Sequence, residues 1–438
     1  MIQFLANGLL RENPPMMLNL WRFRILAATI VGYLLSCSAN LAPRAFAATP
    51  FVRGGVVSDV SLEGDLLAIG INKGSLTEVE SGIVLVFRLR GGCWQHDATL
   101  APPDPATGAF FGAVAIVADA VLIGSPGDDE NGKNAGAVYV FEHMQGEWSL
   151  RQKIVPTEAL PGDCFGQDLA TSDDMLVVAS PGSRSEESAL GAAYVFRRHG
   201  SRWAQQSRLT CKVGGPTVES VGTSNGLIVV GGYVQESEGH RQCVAKVFMP
   251  TASGWAEDAT LKIQSTENVD IRSVRPQVST CANTIMLGHF LELGQGPPEH
   301  AAYVFECADG IWQVAGRVAL SGGKYGGAYS PSCAVAPDYA VLGVGTGFLD
   351  GGAGSANAGG VVVMFSRRGP KKDWKGLSRV EISEEWFGAT TAIRGKTVIV
   401  GGLARLEVNG DVRTGTWAYE CGDQGVTNGQ RLQYALSR

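Results

Sequence analysis

One short apolar stretch keeps returning along this chain. Residues 191–196 read Gly-Ala-Ala-Tyr-Val-Phe, residues 136–141 read Gly-Ala-Val-Tyr-Val-Phe, and residues 301–305 keep Ala-Ala-Tyr-Val-Phe. Weaker copies fall at 82–87, 244–248, 360–365 and 415–419. The closing aromatics are Phe87, Phe141, Phe196, Phe248, Phe305, Phe365 and Tyr419, spaced 52 to 60 residues apart. A period of about 55 residues marks a repeat architecture, and it sets the fold before any single motif is weighed.

Each unit has the same grammar. An aromatic-Gly pair opens it: Phe111-Gly112, Phe165-Gly166, Tyr325-Gly326 and Phe387-Gly388. A short strand, a tight turn such as Ser172-Asp173-Asp174, and an apolar run ending in a small residue follow. A longer polar loop then leads to the Tyr-Val-Phe strand. Trp94, Trp148, Trp203, Trp255 and Trp312 each stand seven residues beyond the closing Phe, and Trp374 stands nine beyond. These are four short β runs per unit, bounded by turn residues, with no helical period outside the amino terminus. In the strand at 136–141, Ala137, Tyr139 and Phe141 face one way and Val138 and Val140 the other, and both faces are apolar. A strand of this kind is buried on both sides, so its sheet lies between two others. Four-stranded units packed radially make a β-propeller. The expected fold is all-β: seven four-stranded antiparallel blades, near 51–103, 104–158, 159–213, 214–265, 266–320, 321–380 and 381–438.

The repeat departs from its consensus in three places. Unit four has Val221-Gly222 where the aromatic-Gly pair is expected, and unit five has Ile271-Arg272. Unit seven lacks the Trp. Its last strand is either the segment near 430–436 or one supplied by Phe51 and Val52 to close the ring.

The first 47 residues differ from the rest. Arg22 and Arg24 precede an apolar run at 25–35, and Ala45-Phe46-Ala47 follows. A charged flank, a short apolar segment and an A-x-A site read as a secretory signal helix cut near Ala47, with Met16 or Met17 as alternative starts. A membrane anchor is the competing reading, but eleven apolar residues are short for a span. Leu34-Leu35-Ser36-Cys37 resembles a lipobox, which would lipidate Cys37 and is the one route to a membrane. The protein is therefore expected to be exported and monomeric. Eight scattered cysteines remain after the leader, either in disulfides or as buried thiols. A net charge of −6 argues against nucleic acid as a partner.

Phe165-Gly166, Asp173-Asp174, the run Val177 to Pro181 and the strand 191–196 together resemble the FG-GAP repeat, and Phe111-Gly112 with Ser125-Pro126 repeats the pattern. That family includes the propeller of integrin alpha chains and many exported bacterial proteins. The resemblance implies a seven-bladed propeller whose structural repeat residues include Phe111, Gly112, Tyr139, Phe141, Trp148, Phe165, Gly166, Tyr194, Phe196 and Trp203. It also implies adhesion or ligand binding. Some members carry a calcium loop, and the nearest match here is Asp128, Asp129, Glu130 and Asn131. Lys133 falls on an alternate position of that loop, where a hard cation needs oxygen. No other cofactor is implied.

Catalytic signatures are few. Gly222-Thr223-Ser224-Asn225-Gly226 matches G-x-S-x-G, but a strand rather than a helix follows it. The six histidines have no metal-binding spacing. The leading expectation is a non-enzymatic module that binds a protein or glycan through the loops of one face, where the aromatic-Gly turns and the long loops share an end. The alternatives are a hydrolase or lyase with its site on the axis, and a structural envelope protein.

Overall fold

A computed structural model describes residues 55–73, 79–182, 191–210, 218–237, 240–263, 276–291, 299–320, 331–346, 359–368, 373–382, 387–406, 412–422, 425–426 and 429–434. The leader with Cys37, Ile271-Arg272 and Tyr325-Gly326 lie outside the described residues. All the regular elements described are β-strands, and they form seven antiparallel blades of four strands. The innermost strands are Gly55–Glu63, Ala113–Val117, Asp168–Ser172, Ser220–Ser224, Gln277–Cys281, Ser332–Val335 and Thr390–Arg394. Each touches the next, and the last touches the first, so the seven sheets close around an axis.

The third strand of each blade explains the Tyr-Val-Phe signal. In Ala137–Met144, Val138 and Val140 pack into the cluster between blades two and three. Ala137, Tyr139 and Phe141 pack into the cluster between blades one and two. Seven such apolar clusters lie at the seven blade interfaces. Burial at both faces makes the period visible, because every residue of this strand must be apolar.

The aromatic-Gly pair is a wedge driven into the preceding blade. Phe165 is fully buried and sits edge-on to Tyr194 and Phe196, at 5.4 and 5.9 Å between ring centres. Its carbonyl lies over Gly136, and the carbonyl of Gly166 lies over Gly124: a Cβ on these glycines would stand 2.1 and 2.0 Å from those oxygens. Phe111-Gly112 bears on Gly82 and Gly70 in the same way, and Phe387-Gly388 on Gly360 and Gly343. The repeated glycines therefore record how closely one blade's backbone lies on the next.

The tryptophans depend on a second repeated device. In blades one to six the pairing of third and fourth strands slips by one residue just before the closing Phe. The slip leaves a bulged residue on the fourth strand, and a bulge re-aims its side chain. Asp97 is the bulged residue of blade one and accepts the Trp148 indole N–H at 3.0 Å. Asp258 does the same for Trp312 at 3.3 Å. These two indoles thus pin an outer strand to its neighbour while covering the interface cluster, whereas the indole N–H groups of Trp203 and Trp374 are buried without a hydrogen-bond partner. Two ion pairs at matching positions also cross interfaces: Arg198 to Glu142 at 2.8 Å, and Arg367 to Glu306 at 2.6 Å.

Phe51 and Val52 lie outside the described residues, and among the described residues ring closure uses no exchanged strand. The fourth strand of blade seven is Gln430–Tyr434, paired to Val412–Gly422, so the blade comes from the chain's end alone. Closure instead rests on Gly55 and Val56 pairing with Ala404 and Leu403, on the Val57 N–H donating to the Gly402 carbonyl at 3.1 Å, and on an Arg394–Glu63 ion pair.

Blade four corrects one expectation. Val221 and Gly222 lie inside the inner strand Ser220–Ser224. The counterpart of the aromatic-Gly pair is Val218-Glu219. The Glu219 N–H donates to Gly231 just as those of Gly112, Gly166 and Gly388 donate to Gly124, Ala179 and Gly401. Val218 is fully buried at the wedge position, and a glutamate stands where blades two, three and seven have glycine. The apolar fit is preserved, but the residue that fills it is not aromatic, so the pattern Phe-Gly did not find it.

Candidate functional site

Inner strands present a free edge to the axis, and its N–H groups need acceptors. Side chains of the preceding blade provide them. The Val114 and Ile116 N–H groups donate to Asp59 and Ser61 at 2.8 and 3.2 Å, and the Val221 N–H donates to Asp168 at 2.8 Å. Ser220 and Ser279 serve Val278 and Val335 in the same manner. Where the acceptor is serine it is small. Where it is aspartate, an ionisable group is brought into the middle of the ring.

A cavity of about 340 Å³ opens there. Asp59, Asp168 and Gln277 reach it from inner strands, and Asn72 and Pro126 from the ends of second strands. Gln167 and Glu219 reach it from the turns that lead into blades three and four, and Phe110 from the turn into blade two. It therefore opens at the end of the ring that carries the aromatic-Gly turns. Burial, and for Asp59 also the facing charge of Asp168, raises both aspartyl carboxyls above the ordinary range. The backbone N–H groups they accept pull the other way but do not outweigh burial. Glu219 is buried, with the Tyr233 hydroxyl donating to it at 3.5 Å. The Asn72 amide oxygen is buried without a hydrogen-bond partner. No lysine, arginine or histidine lines the cavity among the described residues. Phe110 has φ +52° and is 43% exposed at the rim. Cys164, also the residue before an aromatic-Gly pair, shares that left-handed backbone with φ +53°. The wedge forces this conformation, and in blade two it displays an aromatic ring at the mouth.

The FG-GAP repeat pattern matches residues 94–141 and 148–196. Each match runs from the tryptophan of one blade to the closing Phe of the next, so each contains one complete wedge with its bulge. The chain is a β-propeller that carries FG-GAP repeats. No curated protein matches the sequence. Among solved structures, a putative 6-phosphogluconolactonase from Bacteroides uniformis is similar at 12% identity and a TM-score of 0.51, with 85% of this chain and 99% of that one covered. A protein from Lactobacillus plantarum has 13% identity and a TM-score of 0.47, over 74% of this chain and 84% of that one. A periplasmic gluconolactonase from Pseudomonas aeruginosa has 12% identity and a TM-score of 0.46, over 74% and 85%. At these identities the likeness is one of fold.

The loop of this FG-GAP propeller matched above to calcium sites is held by a lysine. Asp128 accepts the Tyr139 hydroxyl at 2.6 Å and the Lys153 ammonium at 3.0 Å, and Glu130 accepts the same ammonium. Asp129 accepts the Asn134 N–H at 2.6 Å, and Asn131 is exposed. Burial works against the Lys153 charge, but hydrogen bonds to Glu130, Asp128 and Tyr139 together hold its pKa above the lysine range. No three His, Cys, Asp or Glu side chains are close enough to hold a metal among the described residues. Lys153→Ala is expected to strip Asp128 and Glu130 of their counter-charge. Calcium should then raise the melting temperature of the variant and leave the parent unchanged; a shift in the parent would show that the lysine does not fill the cation's role.

Ser224 of the G-x-S-x-G match ends an inner strand, and its hydroxyl donates to the Ala282 carbonyl of the next blade at 2.9 Å. Strand, turn and strand surround it, and the hydroxyl serves the ring. The described cysteines are free thiols. Asp59, Asp168 and Asn72 had no sequence signal, since they belong to different repeats and no motif spacing joins them. Glu219 had one that was legible in principle, a charged residue in a glycine's place.

Proposed function

We propose that this FG-GAP propeller is a binding module that takes a polyhydroxylated ligand, an exposed part of a glycan, in its axial cavity. The carrying observation is the composition of that cavity: carboxyl and amide groups on the walls and one displayed aromatic ring at the mouth. Sugars offer hydroxyls around a ring and C–H groups on its faces. Carboxylates and amides satisfy the first, and an aromatic face covers the second. The leader read at residues 1–47 supports a site outside the cytoplasm, where glycans are met. A glycan array followed by calorimetry tests the reading. Phe110→Ala is expected to weaken binding about ten-fold, or 1.4 kcal/mol, while melting within about 2 °C of the parent because Phe110 is on the surface. A parent that binds no glycan, or a variant that binds equally well, would sink it.

One observation favours a second reading. Two carboxyl groups of raised pKa facing a shared cavity can act as acid and base, as a hydrolase or lyase requires. Turnover of the bound glycan, lost in Asp59→Asn with binding retained, would establish it.

A further inference from the structure

We infer that a second site, between blades five and six, takes a guanidinium group. It does not depend on the glycan-binding reading. The repeat supplies its own comparison. At the interface of blades two and three, Glu142 sits between two arginines. Arg198 of blade three reaches its Oε1 at 2.8 Å, and Arg151 of its own outer strand reaches Oε2 at 3.8 Å. Each carboxylate oxygen thus has a cation beside it. Arg151 is the bulged residue of its strand, and the bulge aims it at the interface.

Blades five and six keep half of this arrangement. Glu306 and Arg367 stand where Glu142 and Arg198 do, and they pair through Glu306 Oε2 at 2.6 Å. The bulged residue is now Ala315, which has no charge to offer. The other carboxylate oxygen, Oε1, is buried and has no hydrogen-bond partner. An acceptor shut away from water and left unmet is unfavourable, so a donor brought to it is bound. The space for that donor is present. A cavity of about 500 Å³ lies beside the pair, at the turns from inner to second strands and so at the end of the ring away from the axial mouth. Glu306, Arg367, Asp338, Cys281, Cys307 and Pro337 are among its lining residues. Two acidic side chains there face one arginine, which favours a cation. The thiols and the proline are apolar and suit an alkyl stem. No set of three metal-ligating side chains lies there among the described residues. A planar guanidinium offers paired N–H donors in the geometry that a carboxylate accepts. It is also the group that the chain itself uses at blades two and three. Its source is either a small free guanidine or an arginine side chain of a partner protein.

Three ligands separate the outcomes: butylguanidinium, the peptide acetyl-Gly-Gly-Arg-Gly-Gly-amide, and the same peptide with citrulline, whose urea is neutral and close in shape. Calorimetry on the full chain is expected to show the arginine peptide binding at least about ten-fold more tightly than the citrulline peptide. Butylguanidinium as tight as the arginine peptide supports the site with a free guanidine as its ligand. An arginine peptide tighter than butylguanidinium supports it with an arginine of a partner. Ala315→Arg returns the missing cation from within the chain. Ala315 is exposed, so the variant is expected to fold, to melt above the parent and to bind the arginine peptide about ten-fold more weakly. Equal affinities for the arginine and citrulline peptides in the parent would overturn the inference. So would a parent that binds neither guanidinium ligand, or an Ala315→Arg protein that melts above the parent and binds the arginine peptide as tightly. The peptide comparison needs no variant, so a misfolded Ala315→Arg would not shelter the idea.

Discussion

Gly124→Ala is expected to cost this propeller about 3 kcal/mol or more of stability, and to open the ring at one interface. The added methyl would stand 2.0 Å from the Gly166 carbonyl, which is backbone and cannot swing aside. Overpacking a core usually costs about 1–3 kcal/mol because side chains yield. Here the second and third strands of blade two would have to leave the Phe165-Gly166 wedge, and the apolar cluster between blades two and three would lose its packing. Gly376→Ala is the control. Gly376 lies in a fourth strand, and a Cβ there meets nothing within 4 Å. It should change stability by less than about 0.5 kcal/mol. Urea unfolding of both variants decides the matter: a Gly124→Ala protein as stable as its Gly376→Ala counterpart would show that the wedge does not hold the blades.

The second large effect is acid sensitivity lodged in one side chain. His289 is fully buried in Thr284–Leu291, stacked on Tyr303 at 5.5 Å, and neither ring nitrogen has a hydrogen-bond partner. Burial, then the nearby charges of Arg317 and His300, pull its pKa from 6.5 down to about 3. The folded protein holds this ring neutral while the unfolded chain protonates it near 6.5. Its penalty is therefore absent above pH 6.5 and grows as pH falls toward 3, reaching about 3 kcal/mol at pH 4. Asp59 and Asp168 act with opposite sign. Their raised pKa values cost stability as pH rises from about 3.8, where the unfolded chain ionises, to about 8 and about 6, where the folded carboxyls do, and that cost is lifted in acid. A total pH profile mixes these terms, so the measurement is a difference. His289→Phe should be about 1 kcal/mol more stable than the parent at pH 7, because two unpartnered nitrogens are gone. The gap should widen by about 3 kcal/mol at pH 4. A gap that stays constant over that range would mean that His289 is not the titrating group.

Much of the ring is readable along the chain. Ala137 to Phe141 alternate between two apolar faces, and the structure puts those faces in two different interface clusters. The tryptophans seven residues past each Phe lie at blade interfaces, though the bulge that aims Asp97 at Trp148 is invisible without the pairing register. Blade four shows the limit of motif reading. Val218-Glu219 keeps the apolar wedge and its hydrogen bond but abandons the letters, so Val221-Gly222 drew attention three residues too late.

The amino-acid order by itself settles strand, turn and repeat, because alternation and spacing are properties of neighbouring residues and need no partner to be seen. It settles the number of blades for the same reason, each unit having to hide two oily faces. What only the tertiary structure decided is the axis: that Asp59 and Asp168, 109 residues apart in the chain, share one cavity with Glu219, and that Lys153 holds the acidic loop. Those meetings are made by the closing of seven sheets on one another. Contacts across a closed ring depend on how its blades are turned, and that angle leaves no trace in the order of the residues.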